Sequence, residues 1–111
     1  MKIFTLLSAG LLLLSSTCIF AEEHADEALK HANAAVTHGK AGHASVLVEH
    51  TEEALKHARK SAEISEGEAR KHIDQGIKLL ENAIEHGKQG HAEVATGAAE
   101  EAVKHIEAGN K

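Results

Sequence analysis

The chain has 111 residues, with twelve Lys and Arg against seventeen Asp and Glu, ten His and a formal charge of −5. That length accommodates one ordinary domain, and one Cys, one Met, two Phe and no Trp, Tyr or Pro leave no internal disulfide and no aromatic stacking surface. An acidic balance with only two aromatics argues against a nucleic-acid partner, because phosphates need a basic face and bases need stacking platforms; such a surface attracts cations.

The first stretch reads as a leader. Met1-Lys2 opens it, Ile3 to Leu14 is almost wholly apolar, and Ser15-Ser16-Thr17 follows, which is the layout of a secretory signal. The run is shorter than the roughly 20 apolar residues of a membrane span, so a permanent N-terminal anchor is the weaker reading. Cleavage after Ala21 gives a leader of residues 1–21, with Ile19 an imperfect residue three before the cut. Lipid attachment at Cys18 is a further alternative, but Ser15-Ser16-Thr17-Cys18 lacks the usual leucine and small residue. The mature domain, residues 22–111, is expected in the periplasm, free of the membrane. It contains no Cys, Met, Pro or aromatic residue, so thiolate nucleophiles and sulfur metal ligands are excluded.

The mature part predicts an all-α fold. Ala25, Leu29, Ala32 and Val36 follow the alternating four-three spacing of an amphipathic helix. Leu47, Thr51, Ala54, Leu55, Ala58 and Ala62 continue it, Ile73, Ile77, Leu80 and Ile84 repeat the first pattern, and Ala95, Ala99, Ala102, Val103 and Ile106 the second. Helices are expected at about 22–38, 43–64, 66–87 and 91–108. Glu22, Glu23, Asp26 and Glu27 suit a helix N-terminus. Ser65-Glu66-Gly67-Glu68 reads as a capping box, and Gly39 and Gly87 as the left-handed residues just past helix ends. Gly76 and Gly97 fall inside helices, at roughly 1 kcal/mol each against alanine; close helix approach is the reason on offer. Short connections make this an up-down-up-down antiparallel four-helix bundle.

The domain is also an internal duplication. Residues 24–58 and 72–106 are identical at sixteen of thirty-five positions, so the hairpin is the building unit. Each hairpin turns on the same motif: His38-Gly39-Lys40-Ala41-Gly42-His43, and His86-Gly87-Lys88-Gln89-Gly90-His91.

From those turns histidines recur in sevens or fourteens: His24, His31 and His38, then His43, His50 and His57; His72 and His86, then His91 and His105. Leu79 and Ala98 stand where the duplication predicts the missing two. Histidines seven apart on one helix are about 10.5 Å apart along its axis, whereas metal–imidazole bonds are about 2.0–2.1 Å. An ion holding two of them must therefore draw on two helices. Folding each hairpin at its turn pairs His38 with His43, His31 with His50 and His24 with His57, then His86 with His91 and His72 with His105. Each histidine row lies to the same rotational side of its apolar stripe, so antiparallel packing aligns the rows along one seam. Glu27, Glu53, Glu68 and Glu101 each precede a histidine by four residues and are its neighbours on the helix surface, as further ligands or as acceptors for the imidazole N–H.

Imidazole and carboxylate without sulfur suit Cu(II), Ni(II) or Zn(II), with Cu(II) first by intrinsic affinity. Catalysis has little support: a diiron bundle needs Glu-x-x-His on two helices, and no Glu here has His three residues on. A structural or pH-responsive helical protein with solvated flank histidines explains their number but not their mirror pairing. A lipid-surface protein would want larger apolar residues and a basic face.

The Glu-Ala-x-Lys-His heptads at Glu27 to His31, Glu53 to His57 and Glu101 to His105, with the two His-Gly-Lys-x-Gly-His turns, resemble the periplasmic small metal-binding proteins of ammonia-oxidising and related Gram-negative bacteria. The resemblance covers the whole mature chain. It implies a monomeric four-helix bundle that binds several divalent ions through the ten histidines, copper foremost, in metal buffering or tolerance. Leu79 and Ala98 depart from the ladder's symmetry and put a site at the middle of the second hairpin in doubt.

Overall fold

The computed structural model describes the backbone of residues 2–110 and the side chains of residues 19–110; the side chains of residues 1–18, Cys18 among them, lie outside the described residues. Four helices follow one another: α1 (Lys2–Lys40), α2 (Ala44–Ile64), α3 (Gly67–Lys88) and α4 (Ala92–Gly109). The packing is most extensive between α1 and α2 and between α3 and α4. Contacts of α2 with α3 and of α1 with α4 close the antiparallel bundle. Among the described residues no helix is long and apolar enough to cross a membrane.

The helix expected at 22–38 is the C-terminal half of a longer one, for no proline interrupts the helix-forming residues upstream of it. Ile19 and Phe20 are exposed, at 53 % and 56 %. The Ala21 carbonyl accepts a hydrogen bond from Ser61 Oγ at 3.1 Å.

The core is built from small residues. Ala25, Ala28, Ala32 and Ala35 of α1 are fully buried, while Leu29 is only partly buried against that core. The buried stripe thus includes Ala28 and Ala35, one position before the expected Leu29 and Val36. In α1 the small side chains at the centre let the helices approach closely, and the larger Leu29 and Val36 cover the flanks. Leu47, Ile73, Leu80 and Ile106 are the largest fully buried side chains.

The two hairpin turns share one backbone geometry. Gly42 and Gly90 have φ of 81° and 80°. The His43 N–H bonds the His38 carbonyl at 2.9 Å and the Gly42 N–H bonds that of Gly39 at 3.0 Å; His91, His86, Gly90 and Gly87 repeat the pattern at the same distances. These paired bonds form a Schellman motif. The left-handed residue is therefore the second glycine of each turn, not Gly39 or Gly87. Those two are the last buried residues of α1 and α3 and serve packing instead. A Cβ at Gly39 would meet Thr96 Oγ1 and Leu47 Cδ1, and one at Gly87 would lie 2.5 Å from Val48 Cγ2.

The α2–α3 joint also differs from expectation. Ser65 ends α2, and its Oγ donates to the Ser61 carbonyl at 2.7 Å. The N-cap of α3 is Glu66, with no side-chain capping bond, and Glu68 pairs with Lys71. Gly67 takes φ of 63°, and that left-handed step at the start of α3 removes the geometry a Ser65–Glu68 box requires.

Candidate metal centre

The Schellman turns hold the first histidine of each pair to the second through the backbone, and their rings follow. Ring centres of His38 and His43 are 6.1 Å apart, and those of His86 and His91 6.0 Å. From there the heptad carries the rows down the seam. His31 lies 5.8 Å from His50, His24 5.6 Å from His57, and His72 6.0 Å from His105. With metal–nitrogen bonds of about 2.0–2.1 Å, two imidazoles on one ion have ring centres roughly 4.5–6.5 Å apart. All five mirror pairs fall within that range.

The first hairpin also brings together pairs that mirror arithmetic does not. His31 lies 6.0 Å from His57, and His38 lies 5.4 Å from His50. These diagonals are as short as the rungs. The α2 rings sit between the α1 rings along the axis, so the order down the seam is His24, His57, His31, His50, His38, His43, each next to the one before. Counting residues from a turn gives which positions face each other but not this half-step offset, which the turn geometry and helix crossing set. The second hairpin has no counterpart. Leu79, partly buried against the main core, and Ala98 separate its two pairs, whose α3 members are fourteen residues and so about 21 Å apart. Among the described residues, no close histidine ring pair crosses between hairpins.

Eight of the ten histidines are partly buried, and His43 and His91, at the turns, are exposed. In the second hairpin Nδ1 of His72 and Nδ1 of His86 are buried without a hydrogen-bond partner, each an unpaired nitrogen costing about 1–3 kcal/mol. In the first hairpin Nδ1 of His24 and Nδ1 of His57 are 3.3 Å apart, one donating to the other.

The four expected carboxylates divide. Glu27 stands with His31 and His57, the three ligand atoms within 4.8 Å of one another. This is the one group of three convergent metal-ligating residues among the described residues, and it lies on a diagonal. Glu53, Glu68 and Glu101 turn instead to the lysine three residues on, at 3.8 Å to Lys56, 3.1 Å to Lys71 and 3.3 Å to Lys104. The lysine shares that face of the helix and its charge reaches the carboxylate in solvent. Exposed pairs of this kind contribute about 0–1 kcal/mol, so each carboxylate remains free to turn.

His57 has its pKa lowered. Burial is the main cause, and His24, His31 and Lys60 add to it while Glu27 opposes it. The shift favours the neutral imidazole, the form that ligates metal.

The model of the small metal-binding protein family matches residues 1–109. The chain belongs to this family. No curated protein matches it. Membership points to metal binding, and Glu27, His31 and His57 form a candidate site for it.

Proposed function

We propose that the protein binds and buffers several divalent transition-metal ions in the periplasm, Cu(II) foremost with Ni(II) and Zn(II) as further cargo, and that it does so as a monomer without catalysing a reaction. The observation that carries this reading is the unbroken row of six imidazoles in the first hairpin, each within 6.1 Å of the next. Solvated flank histidines repel one another when charged and have no reason to converge. Rings that share ions do.

The ligand chemistry fits the ions. Two imidazoles with a carboxylate suit Cu(II), Ni(II) and Zn(II), and Cu(II) stands highest in the general order of affinity. Partly buried sites along the seam leave coordination positions to water, which suits loading and release. The ten histidines are the proposed ligands, with Glu27 as a direct ligand at one site and Glu53, Glu68 and Glu101 as carboxylates within reach of others.

Calorimetric titration with Cu(II), Ni(II) and Zn(II) tests the reading. Several ions should bind, Cu(II) most tightly, and binding should weaken from pH 7 to pH 5 as protons compete for imidazoles of ordinary pKa about 6.5. Fewer than two ions bound, or affinity that ignores pH, would overturn it. A pH-responsive helical protein, which the lowered His57 pKa also suits, would change its helix content with pH and be indifferent to metal.

A further inference from the structure

His57 belongs at once to a rung and to a diagonal. Its Nδ1 lies 3.3 Å from Nδ1 of His24, and its ring stands beside His31, where Glu27 adds a carboxylate. Two nitrogens bound to one ion at near-tetrahedral angle are roughly 3.3 Å apart, given bonds of about 2.0–2.1 Å. The rung is therefore as ready for an ion as the diagonal. A neutral imidazole, however, has a lone pair on one nitrogen and a proton on the other. His57 can serve one ion at a time. The same holds for His31, His50 and His38, so of the five gaps between six rings no two adjacent ones can be filled together.

We propose that the first hairpin fills in two registers: the first ion takes the diagonal of Glu27, His31 and His57, and at higher loading His57 passes to His24 so that ions occupy the three rungs. The inference rests on the metal-binding reading above and adds an order of filling to it. The diagonal fills first because it alone offers a charged oxygen beside its two imidazoles. In that register His24 accepts the Nδ1–H of His57, which leaves Nε2 of His57 as the ligand and fixes its ring, the role that an outer hydrogen-bond partner has at a metal site. The diagonal register strands His24 and His43 and so holds two ions. The rungs use all six rings and hold three. As free ion rises, the gain of one bound ion outweighs the lost carboxylate by mass action. The change moves the His57 proton from Nδ1 to Nε2 through solvent, with none released, and turns His24 from hydrogen-bond acceptor into ligand. Leu79 and Ala98 deny the second hairpin any diagonal, so its two pairs have a single register.

Titrating the histidine-15N-labelled protein with Zn(II), which is diamagnetic, reads the order ring by ring. Up to about one equivalent on the first hairpin, His31 and His57 should shift together while His24 keeps its metal-free signal. At higher loading a second His57 state should appear in step with His24. The Glu27→Gln variant should send His57 to His24 from the first addition and lower the first-ion affinity at least about ten-fold, the smaller of the losses seen when a supporting group is removed. If His57 and His24 shift together from the start in the unaltered protein, the register change is wrong and rung binding stands. If no histidine ring responds to Zn(II), the metal-binding reading falls with it.

Discussion

In the first hairpin six imidazoles follow one another without a gap, whereas in the second Leu79 and Ala98 leave two pairs standing alone. The helices, the turns and the spacing of seven are common to both. Two residues separate a continuous row, in which each inner ring has a neighbour on either side, from isolated pairs. A histidine-rich helix pair is thus not simply a sum of its pairs: under the proposed reading, the order in which sites fill depends on whether the row is interrupted. The hairpins differ beneath the seam too. Ala28 and Ala58 face the core of the first at positions that the duplication fills with Gly76 and Ile106 in the second, so the volume given up on one helix is taken back on the other.

Copying the interruption into the first hairpin should have the largest effect. The double change His31→Leu with His50→Ala removes both diagonals, the middle rung and the Glu27 site. Cu(II) calorimetry should show one ion fewer and a first-ion affinity lower by roughly 100-fold, the upper part of the range for a disrupted metal site. Unchanged stoichiometry would mean that these rings bind nothing in common. The converse change, Leu79→His with Ala98→His, should add an ion to the second hairpin and give it the overlapping sites it lacks. Leu79 is only partly buried, so the bundle should survive this, with a loss below the 2–5 kcal/mol of a fully buried leucine truncation.

Next in size is the exchange of volume in the core. A Cβ at Gly76 would lie 2.7 Å from Ile106 Cγ1, and overpacking of this kind costs about 1–3 kcal/mol. Gly76→Ala should therefore lower the midpoint of denaturant unfolding, although alanine is the better helix former by roughly 1 kcal/mol. Adding Ile106→Val should recover part of the loss. A Gly76→Ala protein more stable than the parent would show that α4 yields readily and that the pairing of Gly76 with Ile106 is incidental.

Much of this could be read from residues alone, and the rest fails for identifiable reasons. Heptads at Glu27 to His31, Glu53 to His57 and Glu101 to His105 fix the helices, and symmetry about the turns gives which histidines face each other, because both are local counting. The half-step that puts His57 between His24 and His31 is a property of two packed helices and has no sequence signal. The separate roles of the turn glycines are hidden for a related reason. Each turn has two, and only the backbone distinguishes Gly42, which turns the chain, from Gly39, which lies against Thr96 and Leu47. The Ser65 box loses to a left-handed Gly67. Glu53, Glu68 and Glu101 each have a lysine at three residues and a histidine at four, a choice that helix periodicity leaves open.

The smallest effect expected is that of pH on the metal-free protein, and it singles out His57. Its pKa lies below the ordinary value because the ring is partly desolvated and faces His24, His31 and Lys60, with Glu27 pulling the other way. The folded chain thus binds a proton less readily than the unfolded chain does. Stability must then be fully present above the unfolded value of about 6.5 and be lost as pH falls through the lower folded value. Thermal unfolding without metal should show a midpoint that is flat above neutrality and slips by a few degrees at most toward pH 5, since a ring that is only partly buried is weakly coupled to folding. His57→Gln should reduce that slope while leaving the helix content at pH 7 unchanged. A midpoint that rose on acidification would place the balance with Glu27 instead, and would mean that charge attraction across the diagonal outweighs desolvation and the repulsion of the neighbouring rings.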